Sequence, residues 1–180
     1  MDGTGGELAL DETTGITHPS NVVSKLYAGS APGGRVIYEL NAGDSDLYAV
    51  NMDGAGRVPL TNAPGREYFA AALMDGRIVF ETEINGQRDL YIINGDGTGL
   101  SPLATTADHE SFLAAHLDQR IVYSRTHDGQ MDIYSVRPDG TDSLPLAATQ
   151  EKSDNFKALT RAGRVVYELF DSVTNINTIH

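Results

Sequence analysis

Four short motifs return along this chain at one interval, and that period constrains the fold more tightly than any single residue does. Asp46-Leu47-Tyr48 comes back as Asp89-Leu90-Tyr91 and Asp132-Ile133-Tyr134, each 43 residues on, and in altered form as Asn175-Ile176-Asn177. Asp-Gly pairs at 53–54, 96–97 and 139–140, and Pro-Leu pairs at 59–60, 102–103 and 145–146, keep the same step. Arg35-Val36-Ile37-Tyr38, Arg77-Ile78-Val79-Phe80, Arg120-Ile121-Val122-Tyr123 and Arg164-Val165-Val166-Tyr167 follow at spacings of 42, 43 and 44. Such phase locking requires a structural unit that is used four times.

Within one unit the pattern predicts four short strands, A to D, near 67–73, 77–83, 89–94 and 100–104. Runs such as Arg-Ile-Val-Phe are apolar on both faces, which fits a sheet covered on each side by another sheet. Asp-Gly after strand C offers the positive φ angles of a two-residue hairpin, and Asp75-Gly76 offers the same between A and B. The fold class expected is therefore all-β: a β-propeller whose blades each contain four antiparallel strands.

The ends fit the same frame. Met1-Asp2-Gly3-Thr4-Gly5 matches Met52-Asp53-Gly54-Ala55-Gly56, and residue 180 stands where Asn51 stands in the first unit. Residues 1–180 then form one domain of four units, 1–51, 52–94, 95–137 and 138–180. On this reading a strand near residues 6–10 completes the C-terminal blade, closes a four-bladed ring and removes an open sheet edge. A monomer is expected, with two copies forming one eight-bladed ring, or an excised part of a longer propeller, as the alternatives.

The series Gly-Arg-Ile-Val-Phe at 76–80, Asp-Leu-Tyr-Ile-Ile-Asn at 89–94, Asp-Gly-Thr-Gly at 96–99 and Pro-Leu at 102–103 resembles the TolB-like, or PD40 (WD40-like), propeller repeat. The likeness covers nearly the whole chain. It departs at the Ser-Pro-Asp-Gly turn before strand B, which stands here as Met74-Asp75-Gly76, Leu117-Asp118-Gln119, Pro32-Gly33-Gly34 and Arg161-Ala162-Gly163. The resemblance implies a propeller used for protein contacts or small-ligand binding, and it implies no reaction, since the same fold carries many functions.

A net charge of -12 sets a field that repels phosphate backbones and anionic lipid, so nucleic acid is not an expected partner and cationic or neutral ligands are favoured. No stretch is long and apolar enough for membrane insertion, and Met1-Asp2-Gly3 begins nothing like a signal peptide; a periplasmic or secreted form would carry its leader outside this sequence. Without cysteine there is no disulfide, thiolate metal site or thiol nucleophile. No metal or cofactor is expected, because His-x-His and His-Glu-x-x-His spacings are absent. Gly95-Asp96-Gly97-Thr98-Gly99-Leu100 lacks the third glycine and the helix of a dinucleotide loop.

Residues that repeat do so for packing, so the exceptions are the candidates for function. Eleven of the thirteen aromatic residues fall into repeat-equivalent sets; Tyr68, at the start of a strand A, and Phe170, at the end of a strand B, do not. Both adjoin the D–A and B–C loops, which share one face of a propeller. Lys25, Glu67, Glu110 and Asp154 occupy equivalent positions at the start of strand A and are expected to face one another around the channel mouth. They form either a site for a cation, amine or proton transfer, or a solvated acidic rim with Lys25 as counterion. His18, in an insertion between Asp11 and Leu26, His109 beside Glu110, and His127 in a B–C loop map to the same end.

These residues support a binding module that takes a small molecule or protein segment through Tyr68, Phe170, Lys25, His18 and His127. A second reading is a cofactor-free lyase, isomerase or cyclase using His109, Glu110, Glu67 and Asp154 as acid and base. A third is a purely structural interaction domain.

Overall fold

The computed structural model describes residues 24–31, 33–41, 44–149, 152–171 and 176–179, with the side chains of 24–28, 171, 176 and 177 outside the description. The strand expected near residues 6–10 therefore lies outside the described residues, as do His18 and most of the 11–26 insertion.

Every described element is a strand, and the strands fold as successive antiparallel meanders. The first comprises β1 (Ser24–Ala31), β2 (Arg35–Asn41), β3 (Ser45–Asn51) and β4 (Val58–Pro59). The second comprises β5 (Arg66–Ala72), β6 (Arg77–Ile84), β7 (Gln87–Asn94) and β8 (Ser101–Ala104). The third runs through β9 (His109–Ala115), β10 (Ile121–His127), β11 (Gln130–Val136) and β12 (Leu144–Ala147). The fourth has β13 (Ser153–Leu159), β14 (Val165–Asp171) and β15 (Ile176–Ile179). One parallel bridge, Ser45 to Arg66, joins the first two meanders into a single ladder, where the sequence pattern predicts separate sheets. It forms because β3 and β5 start side by side at the same end.

Alternate residues of each sheet pack forward and backward onto neighbouring sheets. Ile37, Leu47 and Ala49 of the first sheet meet Ile78, Phe80 and Ile93 of the second, while Val79, Leu90 and Ile92 on the second sheet's other face meet Ile121, Tyr123 and Val136 of the third. Val122 and Ile133 meet Val165 and Tyr167 in turn. Both faces of an inner sheet are thus apolar for the reason read from the sequence. Within each of the first three sheets the strand B and C aromatics stack, with ring centroids 5.6 Å apart for Tyr38–Tyr48, 5.9 Å for Phe80–Tyr91 and 5.7 Å for Tyr123–Tyr134.

Polar clasps join one sheet to the next. Arg35 Nη1 donates to the Gly95 carbonyl at 2.9 Å, and its repeat equivalent Arg77 donates to the Pro138 carbonyl at 3.0 Å. Glu39 accepts the Phe69 amide at 3.3 Å and Glu81 accepts the Phe112 amide at 2.8 Å. Those two amides lie at the bulge in each strand A, where the ladder is locally interrupted.

The turns differ from expectation in two respects, since neither Asp75-Gly76 nor the Asp-Gly pairs after strand C make two-residue hairpins. Leu73 N donates to Arg77 O across a three-residue turn in which Gly76 alone has positive φ. The two-residue hairpins lie between strands B and C, at Asn85-Gly86 (φ 54° and 83°) and Asp128-Gly129 (φ 47° and 81°), as a type I′ turn requires. The Asp-Gly pairs after strand C sit in longer turns, closed by Asn51 N to Ala55 O, Asn94 N to Thr98 O and Arg137 N to Thr141 O.

Candidate functional site at the D–A and B–C end

Antiparallel meanders place the start of strands A and C and the end of strands B and D at one end of the molecule, so the D–A and B–C loops share it. Most of the residues singled out from the sequence lie there. They divide into buried carboxyls and exposed polar clusters.

Glu67, Glu110 and Asp154 are fully buried, each at 0% exposure. Burial rules out the solvated acidic rim considered from the sequence, and the reason is local: each carboxyl turns into the loop that precedes it. Glu67 Oε2 accepts from Thr61 Oγ1 at 3.2 Å, Asp154 accepts from the Thr149 amide at 2.9 Å and its hydroxyl at 3.1 Å, and Glu110 accepts from the Thr106 hydroxyl and amide. Each also lies beside the aspartate of the preceding sheet's Asp-aliphatic-Tyr motif: Glu67 by Asp46, Glu110 by Asp89, and Asp154 by Asp132. Loss of solvent is the main cause that raises Glu67 to about 7, with Asp46 and Asp44 adding repulsion. Glu110 and Asp132 are likewise raised, chiefly by burial. Lys25, at the equivalent position, pairs through its backbone with Leu40; its side chain lies outside the description.

The exposed clusters contain residues that sequence reasoning missed. His127, 68% exposed, places Nδ1 2.5 Å from Asp108 Oδ1, while Arg125 Nε holds Asp108 Oδ2 at 2.8 Å. The hydrogen bond to Asp108 raises the His127 pKa, and the same bond lowers that of Asp108. On the second sheet Arg88 lies 5.0 Å over the Tyr68 ring and pairs with Glu83 at 2.9 Å and Glu81 at 3.2 Å. His109 is exposed at the start of β9, opposite Thr126, and Phe170 is half-buried on β14, opposite Ser153. Asp108 precedes His109 directly, and the pairing of β9 with β10 in the register Thr126 to His109 carries it to His127. The sequence signal was only the adjacency of Asp108 to His109; the register that brings it to His127 is a finding of the structure.

Among the described residues no three histidine, aspartate or glutamate side chains converge to hold a metal ion, and no helix is long and apolar enough to cross a membrane. A cleft of about 510 Å³ opens at the opposite end, between the third and fourth sheets, against Ala114, Leu117, Phe156, Leu159 and Arg161. His116 borders it, pairing with Asp118 at 2.8 Å and reaching the Arg161 carbonyl at 3.3 Å; it therefore bridges two sheets at the far end from His109 and His127.

Solved structures share this architecture. A structure assigned to TolB from Agrobacterium tumefaciens superposes with a TM-score of 0.61 at 20% identity, over 82% of this chain and 58% of its own. The β-propeller domain of the Trilobed protease from Pyrococcus furiosus gives 0.59 at 13% identity, over 87% and 48%, and TolB from Acinetobacter baumannii gives 0.54 at 14%, over 87% and 43%. The fold is that of the β-propellers. The chain spans little more than half of the first of these proteins and under half of the other two. No family model and no curated protein matches the chain.

Proposed function

We propose that this propeller is a binding module whose D–A and B–C end takes a cationic or neutral small ligand or a partner segment. The observation that carries the reading is the gathering there of side chains outside the repeat: Tyr68 under Arg88, and His127 with Arg125 on Asp108. Tyr68, Phe170 and His127 supply stacking and hydrogen-bonding groups, with Lys25 and His18 as further contacts from the sequence. Four sheets form the ring that frames this end, the strand near residues 6–10 completing the fourth. Support for that closure comes from the strand count, since the first three sheets have four strands and the fourth has three described ones.

Soaking crystals with a set of cationic and neutral fragments tests the reading. Density is expected at the D–A and B–C end, and occupancy confined to the Phe156–Arg161 cleft would overturn it.

The Asp108–His127 pair favours one second reading, an acid–base enzyme without a cofactor. The Asp108 carboxylate holds Nδ1 while Nε2 lies 3.4 Å from Asp128 Oδ2 on the exposed turn, so the ring is oriented and still reachable, as a proton-transferring histidine needs. His109, Glu110, Glu67 and Asp154 fit that role less well, because the three carboxyls are sealed from solvent. A bell-shaped pH–rate profile that disappears in His127→Ala but survives in His109→Ala would establish it.

A further inference from the structure

Glu67 poses a problem that the binding site does not solve. Its side chain is fully buried, one oxygen is held by Thr61, and Oε1 has no donor among the described groups. A buried carboxylate oxygen without a donor is costly, and native structures seldom keep one. Among the described residues, the charged groups acting on it are Asp46 of β3 and Asp44 just before that strand; β6 opposes it with Thr82, and the preceding loop offers Thr61. No cation is among these described groups. A proton placed on Oε1 resolves the difficulty, because a neutral carboxyl donates and the Asp46 carboxylate accepts.

We infer that Glu67 and Asp46 share one proton across the junction of the first two sheets, and that loss of this proton releases the loop over residues 61–66. Thr61 ties the loop into this arrangement. Its hydroxyl donates to Glu67 and accepts the Leu47 amide at 2.8 Å, so strand β3, the loop and strand β5 meet at one atom. With the proton present the three are joined by an unbroken chain of hydrogen bonds. Without it, the buried Glu67 carboxylate and the half-buried Asp46 carboxylate repel each other across the junction. Burial and Asp46 act in the same direction on Glu67, placing its titration near neutrality. Because its proton is held more tightly in the folded than in the unfolded state, the stabilisation is complete below about pH 4.5 and fades as pH rises through about 7.

Hydrogen exchange at the Leu47 amide tests this independently of what the face binds. After correction for intrinsic base catalysis, opening in the unaltered chain should increase about tenfold from pH 6 to pH 8.5, the factor expected for a carboxyl at about 7 when closed and 4.5 when open. Glu67→Gln should abolish the increase and remove one neutral-carboxyl C=O band from the infrared spectrum at pH 6. Asp46→Asn, which keeps an acceptor but removes the facing charge, should move the midpoint to lower pH. A pH-independent opening in the unaltered chain overturns the inference, as does an increase that persists in Glu67→Gln. A midpoint that Asp46→Asn leaves in place overturns the shared pair.

Discussion

Gly29 shows how narrowly one residue is confined here. A Cβ on it would stand 2.5 Å from the Phe69 ring, well inside contact distance, and the ring belongs to the core between the first two sheets. Gly29→Ala should destabilise the chain by about 1–3 kcal/mol in denaturant titration, since the packed Phe69 ring must be displaced. Leu90, fully buried between the second and third sheets, should cost about 2–5 kcal/mol as Leu90→Ala. At the candidate site Asp108→Asn should lower the His127 pKa toward its ordinary value, read by NMR titration of the ring, because the charge favouring the imidazolium is gone. Much of this scale was legible in the sequence: the stacked Tyr38–Tyr48, Phe80–Tyr91 and Tyr123–Tyr134 pairs fall on repeat-equivalent positions. Asp108 was not, because its role depends on the register that brings β9 beside β10. The burial of Glu67, Glu110 and Asp154 was hidden for a similar reason, as charge alone does not reveal that a threonine four to six residues earlier folds back to receive the carboxyl.

Strand boundaries came close to expectation, with Arg66–Ala72, Arg77–Ile84, Gln87–Asn94 and Ser101–Ala104 observed against 67–73, 77–83, 89–94 and 100–104. The hairpin was misplaced because Asp-Gly serves equally in a two-residue turn and in the longer turn after strand C; the number of residues between paired strands decides, and sequence leaves that number open. At Asn85-Gly86 both residues have positive φ, so Gly86→Val should destabilise the β6–β7 hairpin more than a substitution at exposed Met74 does. Comparing the two by thermal melting checks the assignment. The bulge in strand A is the other element-level device. Replacing Glu81 by Ala removes the acceptor of the Phe112 amide and leaves Arg88 paired with Glu83 alone, and a loss of about 1–3 kcal/mol is expected.

For the molecule as a whole, the repeat announced the architecture before any coordinate did, since a period of 43 residues filled by four strands leaves few alternatives. What periodicity does not determine is how far each sheet rotates from the last, and so how many complete a circle. Deleting residues 1–10 should lower the melting temperature of the entire domain if that segment completes the fourth sheet; a truncated chain that melts like the parent contradicts the splice. The clasps between sheets bear on the origin of such a molecule. Arg35 and Arg77 each seize a main-chain oxygen at the edge of the following sheet, a group that every amino acid possesses. A gene encoding such units can therefore lengthen, shorten or exchange them by recombination, and each newcomer would find its handhold already in place.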